Sequence, residues 1–476
     1  MDKIRIAITT TSMGNGHIMK AMAIKSAYSN MVPMLREESI DLEVCLVDER
    51  RSLSPVTNMV KALIESLYKA MSSSKPFKIW WDKKIHDPDP TPVKKIEQFV
   101  RTINRISGGK CVTPDRQHLF DSVVSTHPSD RVAIFPVHSV FIRVNPDMFC
   151  HSFHMIPQEE MEEWHIMVDD AMKKRVLSGK ESYLLPDLVP KDGRKIIAVG
   201  AYVHPEAIDQ QSEKDLKGSL NGTKASVMFQ IGGAGAQQDI FLESMRHIDY
   251  KRISPLFAAG NNNVFFRKLV NQGLSLGLIT EQEAGYALAS SFSKIGYENG
   301  IMRFSSGLRI LYDKDQYAAV ELMDKAKAKC LINVVKPGDV TSVGTVLSLL
   351  YHIGSHEIEN AEWAIEKGFA EWIIQPEKYL RMREEMTQKE LDICFGQAAA
   401  AYVNARALDS AWLASKHRSI KKMNVLGAYN IASLSVLLSL WKRQKELTSL
   451  KKTYLALKEH GFCSLKDSIL KAIIES

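Results

Sequence analysis

Twice in this chain a short apolar run rich in β-branched residues ends in a glycine-bearing turn and passes straight into a segment with helical spacing. The first is "KIRIAIT" (3–9), continued by "TSMGNGHIMKAMAI" (11–24); the second is "ASVMFQIGGAGAQQDIFLESM" (225–245). Strand, tight turn and helix form the repeating unit of a parallel sheet, because parallel neighbours need a crossover long enough to bring the chain back. Further runs fit strands of the same kind: "LEVCLVDE" ending on Asp48 and Glu49, "DSVVSTHP" (121–128), "RVAIFPV" (131–137) and "KIIAVG" (195–200). The pattern points to an α/β chain with two Rossmann-type halves, each opening on its own glycine turn.

A length of 476 residues exceeds what one core usually serves. Residues 204–224, "HPEAIDQQSEKDLKGSLNGTK", are polar and turn-rich and read as a linker. The expected division is therefore a first domain 1–203, a linker 204–224, a second domain 225–375 and a strand-poor helical segment 376–476. That last segment either packs back on the first domain or stands as a separate module. Residues 50–118 are less readable; they include "PFKIWWDKKIHDPDPTP", which sets Trp80 and Trp81 among lysines.

Lys and Arg total 62 against 55 Asp and Glu, a net charge of +7. This suits anionic substrates or an anionic membrane surface and is too weak to argue for nucleic acid. The six cysteines show no CxxC spacing and no Cys/His cluster, so a reduced, cytoplasmic protein without a structural metal is expected. The start, "MDKIRIAI", enters a strand without a signal region, which argues against secretion. One uncharged stretch, "NVLGAYNIASLSVLLSLW" (424–441), lies between Lys421–Lys422 and Lys442–Arg443. Its Asn, Ser and Gly content favours a buried helix or helix pair; a membrane-surface helix with basic flanks is the alternative.

A turn at the carboxyl end of a strand in an open α/β sheet is where ligands bind, and backbone N–H groups at a helix start favour an anion there. Gly14, Gly16 and His17 form one such turn, and Gly232, Gly233 and Gly235 a second. Neither ends in the GKS/T of a P-loop, and neither is a full G-x-G-x-x-G, so a bound dinucleotide is not expected. Either turn alone could be purely structural; two at the heads of two sheets argue for a ligand. A third corner is "KPGDVTSVGT" (336–345), read as a strand, a Pro-Gly turn and hydroxyls at a helix start, where Thr341 and Ser342 either meet a phosphate or cap the helix. "GSHEIENAEWAIEKGFA" (354–370) follows it.

In this order the motifs resemble the two-domain glycosyltransferases that include the monogalactosyldiacylglycerol synthases and the N-acetylglucosaminyltransferase completing the lipid-linked peptidoglycan precursor. "MGNGH" with Ala21 is similar to that family's opening "GGGH" turn, "VGAYVHPEA" to its "TGxPVxP", "FQIGGAGA" to its "GGxxG" and "AAGNNN" to its "CGxN". "KPGDVTS" and "HEIENAEWAIEKGFA" answer its closing "KPGGxTxxEA" and "E-E-x-NA…G-A". The likeness covers roughly residues 3–370 with gaps, and the final pair is its most specific part.

The resemblance implies a GT-B architecture, two facing Rossmann-like domains with the active site in the cleft. The second domain would hold a nucleotide-sugar donor, and the first a lipid or lipid-linked acceptor at the inner membrane face. Transfer would invert the anomeric carbon and need neither metal nor cofactor. Carried over by position, His17 would act near the acceptor hydroxyl, as general base or by bonding a loop carbonyl or the donor phosphate. Gly14 and Gly16 would shape that floor, and Gly233 and Gly235 would line the diphosphate. Asn261, Lys336, Gly338, Thr341, Ser342, Glu357, Glu359 and Asn360 would surround the nucleotide and sugar.

Two departures fall inside the donor site. Asp339 replaces the family's second glycine after "KP", and Gly344 replaces the glutamate that holds the ribose hydroxyls. Residues 273–300 also form an extra stretch, expected to be helical. Three outcomes stay open: Glu357 or Glu359 takes over the ribose, the donor differs, or catalysis is lost and binding kept. A non-catalytic nucleotide- or sugar-phosphate-binding protein, and a nucleotide-sugar epimerase or hydrolase, are therefore the alternatives to a transferase.

Overall fold

The computed structural model describes residues 2–11, 15–48, 53–72, 87, 89–109, 119–127, 139–145, 147–155, 162–181, 183–210, 224–231, 238–342, 346–350 and 356–476. The strand expected at 131–137 and the Trp80–Trp81 segment lie outside these residues, as does most of the expected linker. The chain divides into two compact units, Met1–Pro205 with Asn424–Ser476, and Glu206–Met423.

The first unit is built on six strands: β1 (Asp2–Thr10), β2 (Ile40–Asp48), β3 (Ser122–Ser125), β4 (Val140–Val144), β5 (Glu162–Met167) and β6 (Ile196–Ala198). They lie in the order β2-β1-β3-β4-β5-β6, every pair parallel. Ile6 is in register with Ser122, and Ile142 with Trp164. Strands β3 and β4 are buried at every position and β1 from Ile6 onward, as expected of strands covered on both faces. Helix α1 (Asn15–Glu37) follows β1, and everything from Ile18 to Ile24 is buried. Helices α2 (Pro55–Ser72), α3 (Thr91–Ile106) and α4 (Asp170–Leu177) complete the crossovers described. Asp169 starts α4 by accepting a hydrogen bond from the Met172 amide at 2.9 Å.

The second unit carries eight strands: β7 (Ala225–Gln230), β8 (Ile253–Gly260), β9 (Gly296–Glu298), β10 (Ile301–Arg303), β11 (Arg309–Tyr312), β12 (Ile332–Val335), β13 (Val346–Leu349) and β14 (Ala370–Trp372). Their order is β14-β13-β12-β7-β8-β11-β10-β9. The strands are parallel except for β9 and β10, which add an antiparallel edge. Helices α5 (Gln238–His247), α6 (Asn263–Ser275), α7 (Glu281–Leu288), α8 (Gln316–Ala328) and α9 (His356–Glu366) belong to it. So do α10 (Pro376–Glu385), α11 (Gln388–Arg406) and α12 (Ser410–Lys421). Helix α11 packs so closely on α5 that a Cβ at Gly396 would come 2.8 Å from the Ile240 carbonyl.

Two sequence expectations are corrected here. The extra stretch 273–300 is only partly helical: α7 opens on a Thr280–Glu283 capping box, and the chain then enters the β9–β10 hairpin. Asn299 and Gly300 take φ of 50° and 75° at its turn, the left-handed pair that a two-residue hairpin requires. The hydroxyls after "KPG" stand in a 3₁₀ turn, Pro337–Ser342, and strand β13 follows where a helix was expected. The run "VLSLL" is short and wholly apolar apart from one serine, so its periodicity alone could not separate a buried strand from a helix.

The helical tail is shared between the units. Residues 376–423 stay with the second, while α13 (Gly427–Gln444), α14 (Leu447–Glu459) and α15 (Asp467–Glu475) return to the first. Gly200 and Gly427 permit the return. The Gly427 amide donates to Ala201 O at 3.0 Å, and a Cβ on Gly427 would lie 2.5 Å from that same oxygen. Gly200 has φ +99°, and a Cβ there would sit 2.5 Å from Asn424 O. Residues 427–440 are all buried, so the uncharged segment is a core helix. Its polar groups are satisfied inside the unit: Asn430 Nδ2 donates to Val199 O at 2.7 Å, Ser439 Oγ to Ser435 O at 2.7 Å, and Ser435 Oγ bonds Tyr28 OH. Among the described residues no helix is long and apolar enough to cross a membrane.

Candidate functional site

In the first sheet the strand order reverses between β1 and β3, so the crevice at their carboxyl ends is where an open α/β sheet binds ligands. Strand β1 ends on Thr9 and Thr10, and Thr11 follows it, all three buried; Thr10 Oγ1 has no hydrogen-bond partner among the described residues. Residues 12–14, including Gly14, lie outside the described set, and α1 begins at Asn15. Gly16 and His17 therefore stand in its first turn. His17 Nδ1 lies 2.7 Å from Thr126 O, just past β3. A carbonyl can only accept, so Nδ1 carries the proton and Nε2 keeps its lone pair in the neutral ring. The His127 ring meets His17 edge-on at 4.3 Å between centroids. Thr126 is itself held to the end of β1, its amide and hydroxyl donating to Thr9 O at 3.1 and 2.9 Å.

Two cations join this edge. Lys61 of α2 donates to Thr11 Oγ1 at 3.4 Å. Lys20 is 1% exposed and reaches Gly16 O at 3.4 Å. Sequence reasoning missed Lys20, Lys61, Thr126 and His127. The signal available for His127 was the "STH" at the end of an apolar run, the same grammar that marked His17.

In the second sheet the order reverses between β7 and β12. The turn after β7, with Gly233 and Gly235, lies outside the described residues, between Ile231 and the start of α5. Lys336 directly follows β12, and its Nζ pairs with Glu357 Oε1 at 2.7 Å, the two side chains 17% and 4% exposed. Gly338 makes room for the pair, since a Cβ there would overlap Lys336 Nζ and lie 2.6 Å from Glu357 Oε1. Glu357 and Asn360, three apart on α9, are buried, whereas Glu359 is half-buried. Asn261 is exposed after β8, and it is its neighbour Asn262 that caps α6, accepting from the Phe265 amide at 2.9 Å. The backbones of Asp339, Thr341 and Ser342 belong to the 3₁₀ turn; their side chains and Gly344 lie outside the described residues.

A third polar cluster lies within the first sheet. Arg143 of β4 bonds Glu163 Oε1 of β5 at 3.1 Å, and His165 Nε2 stands 3.5 Å from Glu163 Oε2. His165 Nδ1 is buried without a hydrogen-bond partner among the described residues, beside a cavity of about 10 Å³, room for about one water. Burial, with the Arg143 charge beside it, pushes the His165 pKa down to about 3. The ring is neutral at pH 7. Among the described residues no three His, Cys, Asp or Glu side chains gather as a metal site.

Two Rossmann-like units, with C-terminal helices returned to the first, are the parts of a GT-B architecture. A family profile described as a domain of unknown function, DUF6938, matches residues 190–395. A search of curated proteins finds no match. Among solved structures, a putative UDP-N-acetylglucosamine 2-epimerase from Listeria monocytogenes is similar at 11% identity, covering 94% of this chain and 98% of that one with a TM-score of 0.45. S. aureus MnaA with UDP is similar at 11% identity, 91% and 95% coverage and a TM-score of 0.43. The glycosyltransferase VinC in complex with dTDP is similar at 10% identity, 88% and 96% coverage and a TM-score of 0.37. The fold assignment rests on the strand order and register described above.

Proposed function

We propose that this chain is a nucleotide-sugar-dependent glycosyltransferase, a hexosyl- or N-acetylhexosaminyltransferase acting on a lipid or lipid-linked acceptor. The observation that carries the reading is His17 at the β1–β3 switch point, its Nδ1 proton committed to Thr126 O. Nε2 then takes the proton of an acceptor hydroxyl as its oxygen bonds the anomeric carbon and the sugar–phosphate bond breaks. The nucleoside diphosphate leaves with that electron pair, and the anomeric carbon inverts in a single displacement. No metal or cofactor enters this scheme.

On the second unit, Gly233, Gly235, Gly338, Thr341 and Ser342 are assigned to the diphosphate, with Asn261 and Asn360 near nucleotide and sugar. Lys336 exchanges its carboxylate partner for the leaving phosphate, so that positive charge meets negative charge as it develops. With Glu357 engaged by Lys336, Glu359 is the carboxylate we assign to the ribose hydroxyls in place of the residue that Gly344 lacks. Work at the inner face of a membrane is supported by α2 and α3, where Val56, Met59, Leu63, Ile96, Phe99 and Ile106 are exposed beside exposed Lys94, Lys95 and Arg105.

A non-catalytic binding protein is the second reading. It is favoured by Asp339 and Gly344, and by a donor-side lysine already neutralised by Glu357. Thermal shift and calorimetry against UDP, dTDP, GDP, CDP and ADP, followed by product analysis with the matching sugar conjugates, separate the readings. A nucleotide at about 100 times its Kd stabilises a fold by about 2.7 kcal/mol. The transferase reading expects a glycoside product, and a His17→Gln variant that still binds nucleotide but transfers about 10²–10⁴ times more slowly. Binding without turnover moves the non-catalytic protein to first place; a rearranged or free sugar identifies an epimerase or hydrolase.

A further inference from the structure

The second unit holds a cavity of about 390 Å³ that none of the foregoing uses. It opens between α8 and the β8–β11–β10 part of the sheet. Its charged lining is Arg303, Arg309, Lys325 and Lys329 against Glu206 and Glu298. We propose that this cavity binds a small phosphorylated compound, of the size of a sugar phosphate, at a site separate from the one around Lys336.

Arg309 carries the argument. Its Nη2 donates to Ser226 Oγ and to Ser254 O, both at 2.7 Å and both neutral. Its Nε is buried with no hydrogen-bond partner among the described residues. No carboxylate stands within ion-pair distance of it among the described residues. Burial lowers its pKa, yet a guanidinium stays charged in proteins, so the wall of the cavity holds a cation lacking an anion. Its flat fork is the shape that recognises phosphate oxygens.

The other cations are not equivalent. Lys325 is engaged by Glu206 at 3.2 Å and Glu321 at 2.9 Å. Arg303 stands 4.0 Å from Glu298, both half or more exposed. Lys329 is exposed at the C-cap of α8. Set against Glu206, Glu298 and the Glu321 that also holds Lys325, the four cations leave a surplus of one positive charge, of which the negative end of α8 offsets about half. A phosphomonoester, at about −1.5 to −2 at pH 7, has the sign that this surplus and the carboxylate-free Arg309 call for, and it competes with Glu206 and Glu298 for the lining cations. Leu256, Ile301 and Leu322 supply an apolar wall for its carbon skeleton. The volume lies near the lower end of the ~300–1,000 Å³ range of ligand sites, which suits a sugar phosphate better than a whole nucleotide-sugar.

The site is remote from the candidate active edge. Cys330, on its wall, precedes β12, and Lys336 follows that strand, so six residues of extended chain separate them. That is about 20 Å at ~3.3 Å per residue.

The test is calorimetric titration of the full-length chain with glucose 6-phosphate and, separately, with inorganic phosphate. Wild type is compared with the exposed double variant Arg303→Gln/Lys329→Gln and with Lys336→Gln. The expected result is saturable binding of glucose 6-phosphate, weakened about tenfold or more in the cavity variant and unchanged in Lys336→Gln. Weaker binding of inorganic phosphate assigns the difference to the sugar; equal binding makes phosphate itself the ligand recognised and overturns the sugar-phosphate assignment. Unchanged thermal midpoints of the variants show that a loss is local. Absence of binding by both probes, or binding that the cavity variant leaves intact, overturns the proposal.

Discussion

Acid should destabilise the first unit through one buried imidazole. His165 is 5% exposed, faces Glu163 at 3.5 Å and has Arg143 in register beside it on β4. Its pKa falls from 6.5 to about 3 on folding. The unfolded chain therefore takes up a proton below pH 6.5 that the native state refuses until about pH 3. For a depressed folded pKa, the contribution is complete above pH 6.5 and is lost as pH falls toward 3. Each pH unit in that window is worth about 1.4 kcal/mol, so moving from pH 8 to pH 5 removes about 2 kcal/mol. In a unit of this size, that lowers the thermal midpoint by about 4–8 °C. Urea unfolding of wild type and His165→Gln at both pH values isolates the effect, because glutamine has no proton to gain. Wild type should lose about 2 kcal/mol more than the variant. Equal losses, or a His165 imidazole resonance titrating near pH 6.5, would refute the reasoning.

Three further outcomes can be checked on single variants. Gly338→Ala places a methyl 2.6 Å from Glu357 Oε1 and onto Lys336 Nζ. It should part the ion pair, cost about 1.5–3 kcal/mol and weaken nucleotide binding; calorimetry showing wild-type affinity and stability would remove Gly338 from the site. Gly427→Ala sets a Cβ 2.5 Å from Ala201 O, where neither backbone can yield cheaply, so urea denaturation should show a loss of about 2 kcal/mol or more. Ile96→Asp/Phe99→Asp exchanges two exposed apolar side chains of α3 for acids. Co-sedimentation with anionic vesicles should fall at least about tenfold, and unchanged binding would end the membrane role proposed for this helix.

The α/β class was legible in the sequence because it is written in local pattern. "KIRIAIT" and "ASVMFQI" are β-branched runs bounded by glycine turns, and each leads into helical spacing; both are strands preceding helices in the fold. Strand β5 escaped because "EEWHIM" does not look apolar: Glu162 and Glu163 are satisfied by Lys195, Trp164 and Arg143, partners a linear reading cannot supply. Strand β13 escaped because "VLSLL" fits either period.

What the tertiary structure alone decided is which distant residues meet. His17 finds Thr126 O 109 positions away because β1 and β3 pair across the sheet's reversal point, and strand order is a non-local choice. Lys336 finds Glu357 only once β13 has been laid beside β12 and the chain has returned through α9. The uncharged helix at 427–440 carried enough apolar character to demand burial. Which core would bury it was settled by the glycines at 200 and 427, which let two backbones approach within hydrogen-bonding distance, and by the polar partners Val199 and Tyr28 waiting in the first unit. Local sequence sets the period and the turn chemistry of an element; its neighbours are set by how the buried faces and polar groups of the whole chain can be matched at once.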